Sequence, residues 1–326
     1  MSVRLSVLVV SRTAARLSAM LKSLATATKL RQGEVEILCS WNGTSESEQE
    51  INNQSGYEFL IAQRDPYHFA NNMNQLAHNA NGDVLAFIND DVILDVGSLD
   101  EGLSCLFNDS STLCVGALLR TPDGNLQHGG MGFDLHHTPY HIAEGLVSAT
   151  DVISELQPYE VPGVTAAVML IRKTTFIQQP FDESYNRCGE DVQLNLDLRE
   201  KLKGRVMLCP SMSGVHIESA TRAENDESGN TSEDLVKMRT RRRLFLDQAT
   251  AEQLRVELSM ATREQAFTKD VMAMERNNLN RQREELAKNS DLVNLERARD
   301  HWKRQAQVLQ LEALRLQDSA HRQRGV

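Results

Sequence analysis

The sequence predicts an α/β fold: a mainly parallel sheet covered by helices, followed by a long helical extension. Three observations predict it. Short β-branched apolar runs alternate with amphipathic stretches over about the first hundred residues. The fourth of those runs ends directly in Asn89-Asp90-Asp91, and ligands of parallel sheets bind at the carboxyl ends of strands. From about Asp247 onward there is no Pro, the only Gly is Gly325, and apolar residues recur every seven positions.

Taken in order, Leu5–Val10 is a β-branched apolar run that reads as a buried strand. Leu17, Met20, Leu21 and Leu24 then follow at i, i+3, i+4 and i+7, one face of a helix. Val35–Cys39 is the second strand, Asn42-Gly43 a turn, and a polar loop runs to Gly56. Phe59–Ile61 is the third strand, Phe69–Ala80 a helix ended by Asn81-Gly82, and Val84–Ile88 the fourth strand. Leu113–Leu119, Ala167–Ile171 and Arg205–Leu208 read as strands, the last stopping before Pro210, and Val192–Leu202 reads as a helix. Ser219–Asp234 is polar and reads as a loop. The final segment reads as one long helix with candidate breaks at Asn277-Asn278 or Asn289-Ser290. Leu258, Gln265, Met272, Leu279, Leu286 and Val293 step by seven, and Leu295, Trp302, Leu309 and Leu316 do so again two residues out of register. This predicts a coiled coil; the plainer reading is a helix laid along the body.

Composition narrows the function. The 326 residues are 40% hydrophobic and 25% charged, ordinary for a globular chain. No apolar run approaches the ~18–20 residues of a membrane helix, and Leu5–Val10 is too short for a secretory leader. Five scattered cysteines without a CxxC fit a reducing compartment, so a cytoplasmic location is expected, with peripheral attachment at the inner face of the membrane as an option. The net charge of −10 is uneven. From Lys237 onward there are 19 Lys and Arg against 13 Asp and Glu, while the preceding residues carry 16 against 32. So acidic a body is a poor nucleic-acid binder. Dinucleotide binding is disfavoured because no GxGxxG follows the first strand.

The chemistry concentrates in three places. Asp90-Asp91 at a buried strand end is a carboxylate pair that repels unless a cation arrives, and hard oxygen ligands suit Mg2+ or Mn2+; an acidic, solvated turn is the bland alternative. Glu190-Asp191 follows Gly189 at a helix start, where the choice is between capping and a general base. His216 follows the last strand-like run, and alone it reads as an ordinary surface or core histidine. His128, His136, His137 and His141 could suggest zinc, but no Cys or Asp stands at ligand spacing, and lining of a site or plain surface is the better reading.

Together these blocks resemble family 2 glycosyltransferases of the GT-A fold, of the bacterial surface-polysaccharide type. The resemblance runs over most of residues 3–225. It is carried by Val7-Leu8-Val9-Val10-Ser11, Cys39-Ser40-Trp41-Asn42-Gly43-Thr44, Tyr67–Asn74, Phe87-Ile88-Asn89-Asp90-Asp91-Val92, Leu126–Gly130, Tyr140–Gly145, Phe181-Asp182-Glu183, Gly189-Glu190-Asp191 and Val215–Ser219. It implies that Asp91, in the place of the last carboxylate of a DxD motif, and His216 hold a divalent metal. It implies donor contacts by Ser11, Asn42, Asn74, Asn89 and Asp90, and an acceptor side lined by His128 and Thr165. Asp191, with Glu190 beside it, takes the role of general base. The sequence departs from the family at Trp41, Gln193, Asp197 and Thr165-Ala166-Ala167.

The expectation is therefore a GT-A domain over residues 1–245 and a helical, coiled-coil extension over 246–326. The implied enzyme is an inverting, metal-dependent hexosyl- or deoxyhexosyltransferase using Mn2+ or Mg2+. It would move sugar from a UDP- or dTDP-sugar to a glycan or lipid-linked acceptor in cell-surface polysaccharide biosynthesis. Residues 251–320 would form a homo-oligomer or pair with a partner coiled coil. The rivals are a non-catalytic GT-A-like scaffold assembled through that coiled coil, and a nucleotidyltransferase, for which Ser11-Arg12-Thr13-Ala14-Ala15 is a poor phosphate loop.

Overall fold

The computed structural model of the protein describes residues 4–150, 157–217, 228–287 and 290–323. In chain order the elements are β1 (Leu5–Ser11), α1 (Ala14–Ala27), β2 (Val35–Trp41), α2 (Ser45–Glu48), β3 (Glu58–Gln63), α3 (Phe69–Asn79), β4 (Val84–Ile88), β5 (Val92–Leu94) and α4 (Ser98–Asn108). There follow β6 (Thr112–Arg120), β7 (Leu126–His128), β8 (Met131–Phe133), β9 (Pro139–His141), β10 (Tyr159–Glu160), β11 (Val168–Arg172), α5 (Lys173–Gln178), α6 (Glu190–Glu200) and β12 (Arg205–His216). Three long helices complete the chain: α7 (Ser228–Gln248), α8 (Ala251–Ala287) and α9 (Ser290–Gln323).

The main sheet has the order β10-β12-β6-β11-β4-β1-β2-β3, with β5 on β12 and β7 on β6. β4, β1, β2 and β3 are parallel neighbours, as are β6 and β12, and antiparallel β11 joins the two blocks. β1, β2 and β4 are buried along their whole length because both faces are covered, which is why they read as unbroken apolar runs. On one face α1 and α4 place Leu17, Met20, Leu21, Leu24, Leu99 and Leu106 against the sheet. On the other, α3, α5 and α6 place Met73, Leu76, Phe176, Leu194 and Leu198. The amphipathic spacing seen in α1 thus faces the sheet as predicted.

Three differences from the sequence reading have physical causes. β12 does not stop before Pro210 but continues to His216; a bulge between Cys209 and Ser213 absorbs the residue that cannot donate to the ladder. The stretch Ser219–Asp234 is helical from Ser228 onward, and its earlier part lies outside the described residues. The long helix is interrupted between Gln248 and Ala251, whereas α8 runs through Asn277-Asn278 without a break; Asn289 lies outside the described residues.

The chain divides into two compact units, Met1–Thr268 and Lys269–Val326, so the first unit extends past residue 245. The cause is local: Val256 and Met260 of α8 are buried, and Met260 and Phe267 join the apolar cluster beneath α3 and α6. Glu257 on the same helix binds Arg199 of α6 at 2.7 Å and Arg242 of α7 at 2.6 Å, and both guanidiniums are nearly inaccessible to solvent. In the second unit Met272, Leu279, Leu295, Trp302 and Leu309 of the seven-residue steps are all exposed.

Candidate active site

β1 and β4 run side by side in the same direction, so Ser11 at the end of β1 lies beside the residues that follow β4. Ser11 Oγ donates to Asp90 Oδ2 at 2.6 Å. The Asp90 carboxyl is pushed up to about 6, first by burial and further by Asp91, while the Ser11 hydrogen bond and the charges of Arg16 and Arg12 pull the other way. Asn42 follows β2, and its backbone N–H donates to the Ser11 carbonyl at 2.8 Å. Its side-chain amide donates to the Asp65 carbonyl, leaving a buried Oδ1 without a partner. Trp41 is buried beneath this turn, and a Cβ at Gly43 would come within 2.5 Å of its ring, so the turn needs glycine there. The Tyr67 phenol is pushed up, by burial first and then by the charges of Glu190 and Asp90, which places it near the same edge.

Asp91 meets His216 where β5 and β12 pair. β5, which starts just after Asp91, pairs antiparallel with the end of β12, with Val92 opposite His216. His216 Nε2 lies 3.1 Å from Asp91 Oδ1, and both side chains are mostly buried. The other ring nitrogen, Nδ1, lies 2.9 Å from Gln127 Oε1. An amide oxygen only accepts, so in the neutral ring this contact places the proton on Nδ1 and leaves a lone pair at Nε2. Asp91 Oδ1 itself has no hydrogen-bond donor. In that tautomer two acceptor atoms face each other at 3.1 Å, an arrangement that fits a shared cation. No group of three or more His, Cys, Asp or Glu side chains placed to hold a metal occurs among the described residues, so Asp91 and His216 would share any metal with oxygens of a ligand.

The opposite wall is built from Thr165–Ala167 and the start of α6. Asn89 N–H donates to the Ala167 carbonyl at 2.9 Å, which fixes this segment beside the Asp pair. Thr165 Oγ1 accepts from Ala167 N–H at 3.3 Å, and His128 Nε2 accepts from Thr165 N–H at 3.3 Å. Ala166 N–H donates to Asp191 Oδ2 at 3.2 Å, and Val192 N–H to Asp191 Oδ1 at 2.7 Å. Gly189 makes this helix start possible: its φ is +110°, and a Cβ would meet Met238 and Tyr185 at 2.7 Å. Asp234 of α7, wholly buried, accepts from the backbone N–H groups of Asn186, Arg187 and Cys188 at 2.8–3.3 Å and so holds the loop that leads into Gly189. Asp197 accepts from Gln179, Gln193 and Arg241, tying α6 to α7.

Contacts thus bring Ser11, Asn89, Asp90, Asp91, Thr165, Glu190, Asp191 and His216 together beside the carboxyl ends of β1 and β4. Asn74 is engaged elsewhere: its amide bonds Phe181 N–H, the Phe181 carbonyl and Glu183, clamping α3 to that segment. His128 is fully buried, with Nδ1 2.5 Å from His141 Nδ1, and burial holds its imidazole well below the usual histidine range. His136 and His137 belong instead to a turn around Asp134. Arg12, Arg16, Tyr67 and Gln127 are not among the site residues expected from the sequence. Tyr67 and Gln127 do lie inside blocks that carried the resemblance; the two arginines had only their place just after β1.

No protein-family model matches the sequence. A 164-residue stretch, 48% of the chain, is 30% identical to the O-antigen biosynthesis protein RfbC of Myxococcus xanthus, and it spans only 12% of that protein. Among solved structures, GalNAc-T7 with UDP, GalNAc and Mn2+ superposes with a TM-score of 0.56 at 15% identity, over 73% of this chain and 47% of that one. TarS residues 1–349 of S. aureus superposes with a TM-score of 0.50 at 13% identity, over 78% and 68%. The fold is that of the GT-A glycosyltransferases, an α/β architecture with a mostly parallel central sheet and added C-terminal helices.

Proposed function

We propose that the protein is an inverting glycosyltransferase of family 2 that uses a UDP- or dTDP-sugar and a divalent cation, Mn2+ or Mg2+. The observation that carries this reading is the contact of Asp91 Oδ1 with His216 Nε2, 3.1 Å apart at the carboxyl ends of strands. Asp91 and His216 would hold the cation, which when bound neutralises the charge that develops on the departing nucleoside diphosphate. The buried, unpartnered Asn42 Oδ1 offers an acceptor to the nucleoside, and Arg12 and Arg16 add positive charge beside the diphosphate.

Asp191 would take the proton of the acceptor hydroxyl as its oxygen attacks the anomeric carbon. The bond to the diphosphate oxygen breaks on the other face, and the configuration inverts. The two backbone N–H bonds from Ala166 and Val192 hold the Asp191 carboxylate in one orientation, as a general base requires. His128 lies behind Thr165, so both fit the wall on the acceptor side, and Glu190 adds negative charge next to the base. The O-antigen biosynthesis protein supports an acceptor that is a glycan or a lipid-linked glycan in surface-polysaccharide biosynthesis. No helix among the described residues is long and apolar enough to cross a membrane. Contact with a lipid-linked acceptor is read as peripheral, at the inner face of the membrane. The exposed apolar steps of α9 fit a coiled-coil pairing, with a second copy or another chain.

The test is incubation with a panel of UDP- and dTDP-sugars and Mn2+, following release of nucleoside diphosphate and the anomeric proton of the first sugar product by NMR. Release that depends on metal, with the anomer inverted, is the expected result. A product of retained configuration defeats the Asp191 mechanism, and absence of release from every donor favours a binding scaffold.

A further inference from the structure

We infer that Gln127 is a positioning residue that sets the tautomer of His216 and thereby keeps the Asp91–His216 pair open to a divalent cation. The inference rests on the metal reading proposed above. Gln127 lies on the three-residue strand β7 and is 4% exposed. β7 lies against β6, and β6 against β12, so the strand stands one place from the segment that ends in His216. A bulge between Leu119 and Arg120 interrupts the β6–β7 register. Neighbouring residues of a regular strand point to opposite faces, yet Gln127 and His128 both reach the site, one to His216 and the other to Thr165.

The consequence is chemical. A histidine beside a buried carboxylate oxygen lacking any other donor would ordinarily place its proton on the nitrogen facing that oxygen. Here that would be Nε2, donating to Asp91 Oδ1 at 3.1 Å and satisfying it. The pair would then be closed, because a cation would have to displace the proton. The Gln127 carbonyl competes for it at Nδ1, 2.9 Å away on the other side of the ring. With the proton there, both facing atoms carry lone pairs and the pair is ready for a cation. Outer partners of this kind orient a ligand imidazole, and their loss typically lowers metal affinity about 10–100-fold.

The experiment compares the full chain with Gln127→Ala and Gln127→Glu, reading Mn2+ affinity by calorimetry in the presence of UDP. The His216 tautomer is read in metal-free protein from nitrogen-15 imidazole NMR. Gln127→Glu keeps only acceptor atoms at this position, so it isolates the property invoked. The wild type should carry the proton at Nδ1. Gln127→Ala should move it to Nε2 and weaken Mn2+ binding about 10–100-fold, and Gln127→Glu should restore both. Metal-free thermal unfolding of each variant shows whether the fold is kept. A wild-type ring protonated at Nε2 overturns the inference, and so does a folded Gln127→Ala protein that binds Mn2+ as the wild type does. A wild type that takes up no Mn2+ with UDP present removes the metal site itself, while the tautomer measurement still reports separately on Gln127.

Discussion

Glu257→Ala is the sharpest test of how the first compact unit, Met1–Thr268, is held together. Glu257 sits in the first part of α8, beyond the point where composition alone would end the body. Its two oxygens bind two different guanidiniums, Arg199 Nη1 at 2.7 Å and Arg242 Nη2 at 2.6 Å. Arg199 also donates to the carbonyls of Pro162 and Gln253, bonds that do not involve the Glu257 side chain. Arg242 lacks such bonds: its Nε and Nη1 have no hydrogen-bond partner, and it is otherwise held between the rings of Phe133 and Phe245. Burial already pulls the Arg242 guanidinium below its usual range, with the Glu257 charge opposing that. Removing one partner of a buried ion pair leaves an uncompensated charge and costs about 3–5 kcal/mol. For a unit of this size that corresponds to a fall in Tm of about 6–20 °C. Differential scanning calorimetry of the full chain reads it directly. A fall below about 2 °C, on the same scale, would refute the reasoning, because Glu257 would then be an ordinary surface residue.

Truncation gives a related outcome: a chain ending at Thr268 should unfold cooperatively near the wild-type temperature. One ending at Thr250 loses Val256, Glu257 and Met260 and should be largely unfolded by circular dichroism, since the losses approach the total stability of about 5–15 kcal/mol. In light scattering the Thr268 chain should show a smaller oligomeric mass than the full chain; equal masses would leave the exposed apolar steps of α9 without a pairing role. Asp191→Asn should lower sugar transfer about 10²–10⁴-fold while leaving donor binding unchanged in calorimetry. His128 adds an acid-side dependence. Its imidazole is held well below 6.5 in the folded state, so as pH falls below that value the unfolded chain takes up a proton that the folded chain refuses. Stability should drop by about 1.4 kcal/mol per pH unit from this group while the folded ring stays neutral. Urea midpoints should therefore fall less steeply between pH 7 and pH 5 in His128→Gln than in the wild type.

Strand and helix identity in the first hundred residues was legible because both faces of β1, β2 and β4 are buried, and unbroken apolar runs admit little else. Asp91, Asp191 and His216 could be singled out as types at segment ends. Their convergence could not be read from spacing, because it depends on β12 passing Pro210 through a bulge to bring His216 beside the start of β5. The docking of α8 was hidden for a different reason. Its charged residues look like a solvated face until Arg199 and Arg242 are seen beneath Glu257, and Met260 is one methionine among many polar neighbours. Gln127 was invisible as a functional residue because its role lies in an amide oxygen aimed at a ring on a strand beyond β6, a relation that no periodicity carries.

The most direct measurement is calorimetric titration of the full chain with UDP and with dTDP, each with and without Mn2+, in the wild type and in Asp91→Ala. At least one of the two diphosphates should bind the wild type only when Mn2+ is present, and Asp91→Ala should abolish this metal dependence while remaining folded. Nucleoside diphosphate binding that ignores Mn2+, or that survives Asp91→Ala unchanged, would contradict that expectation.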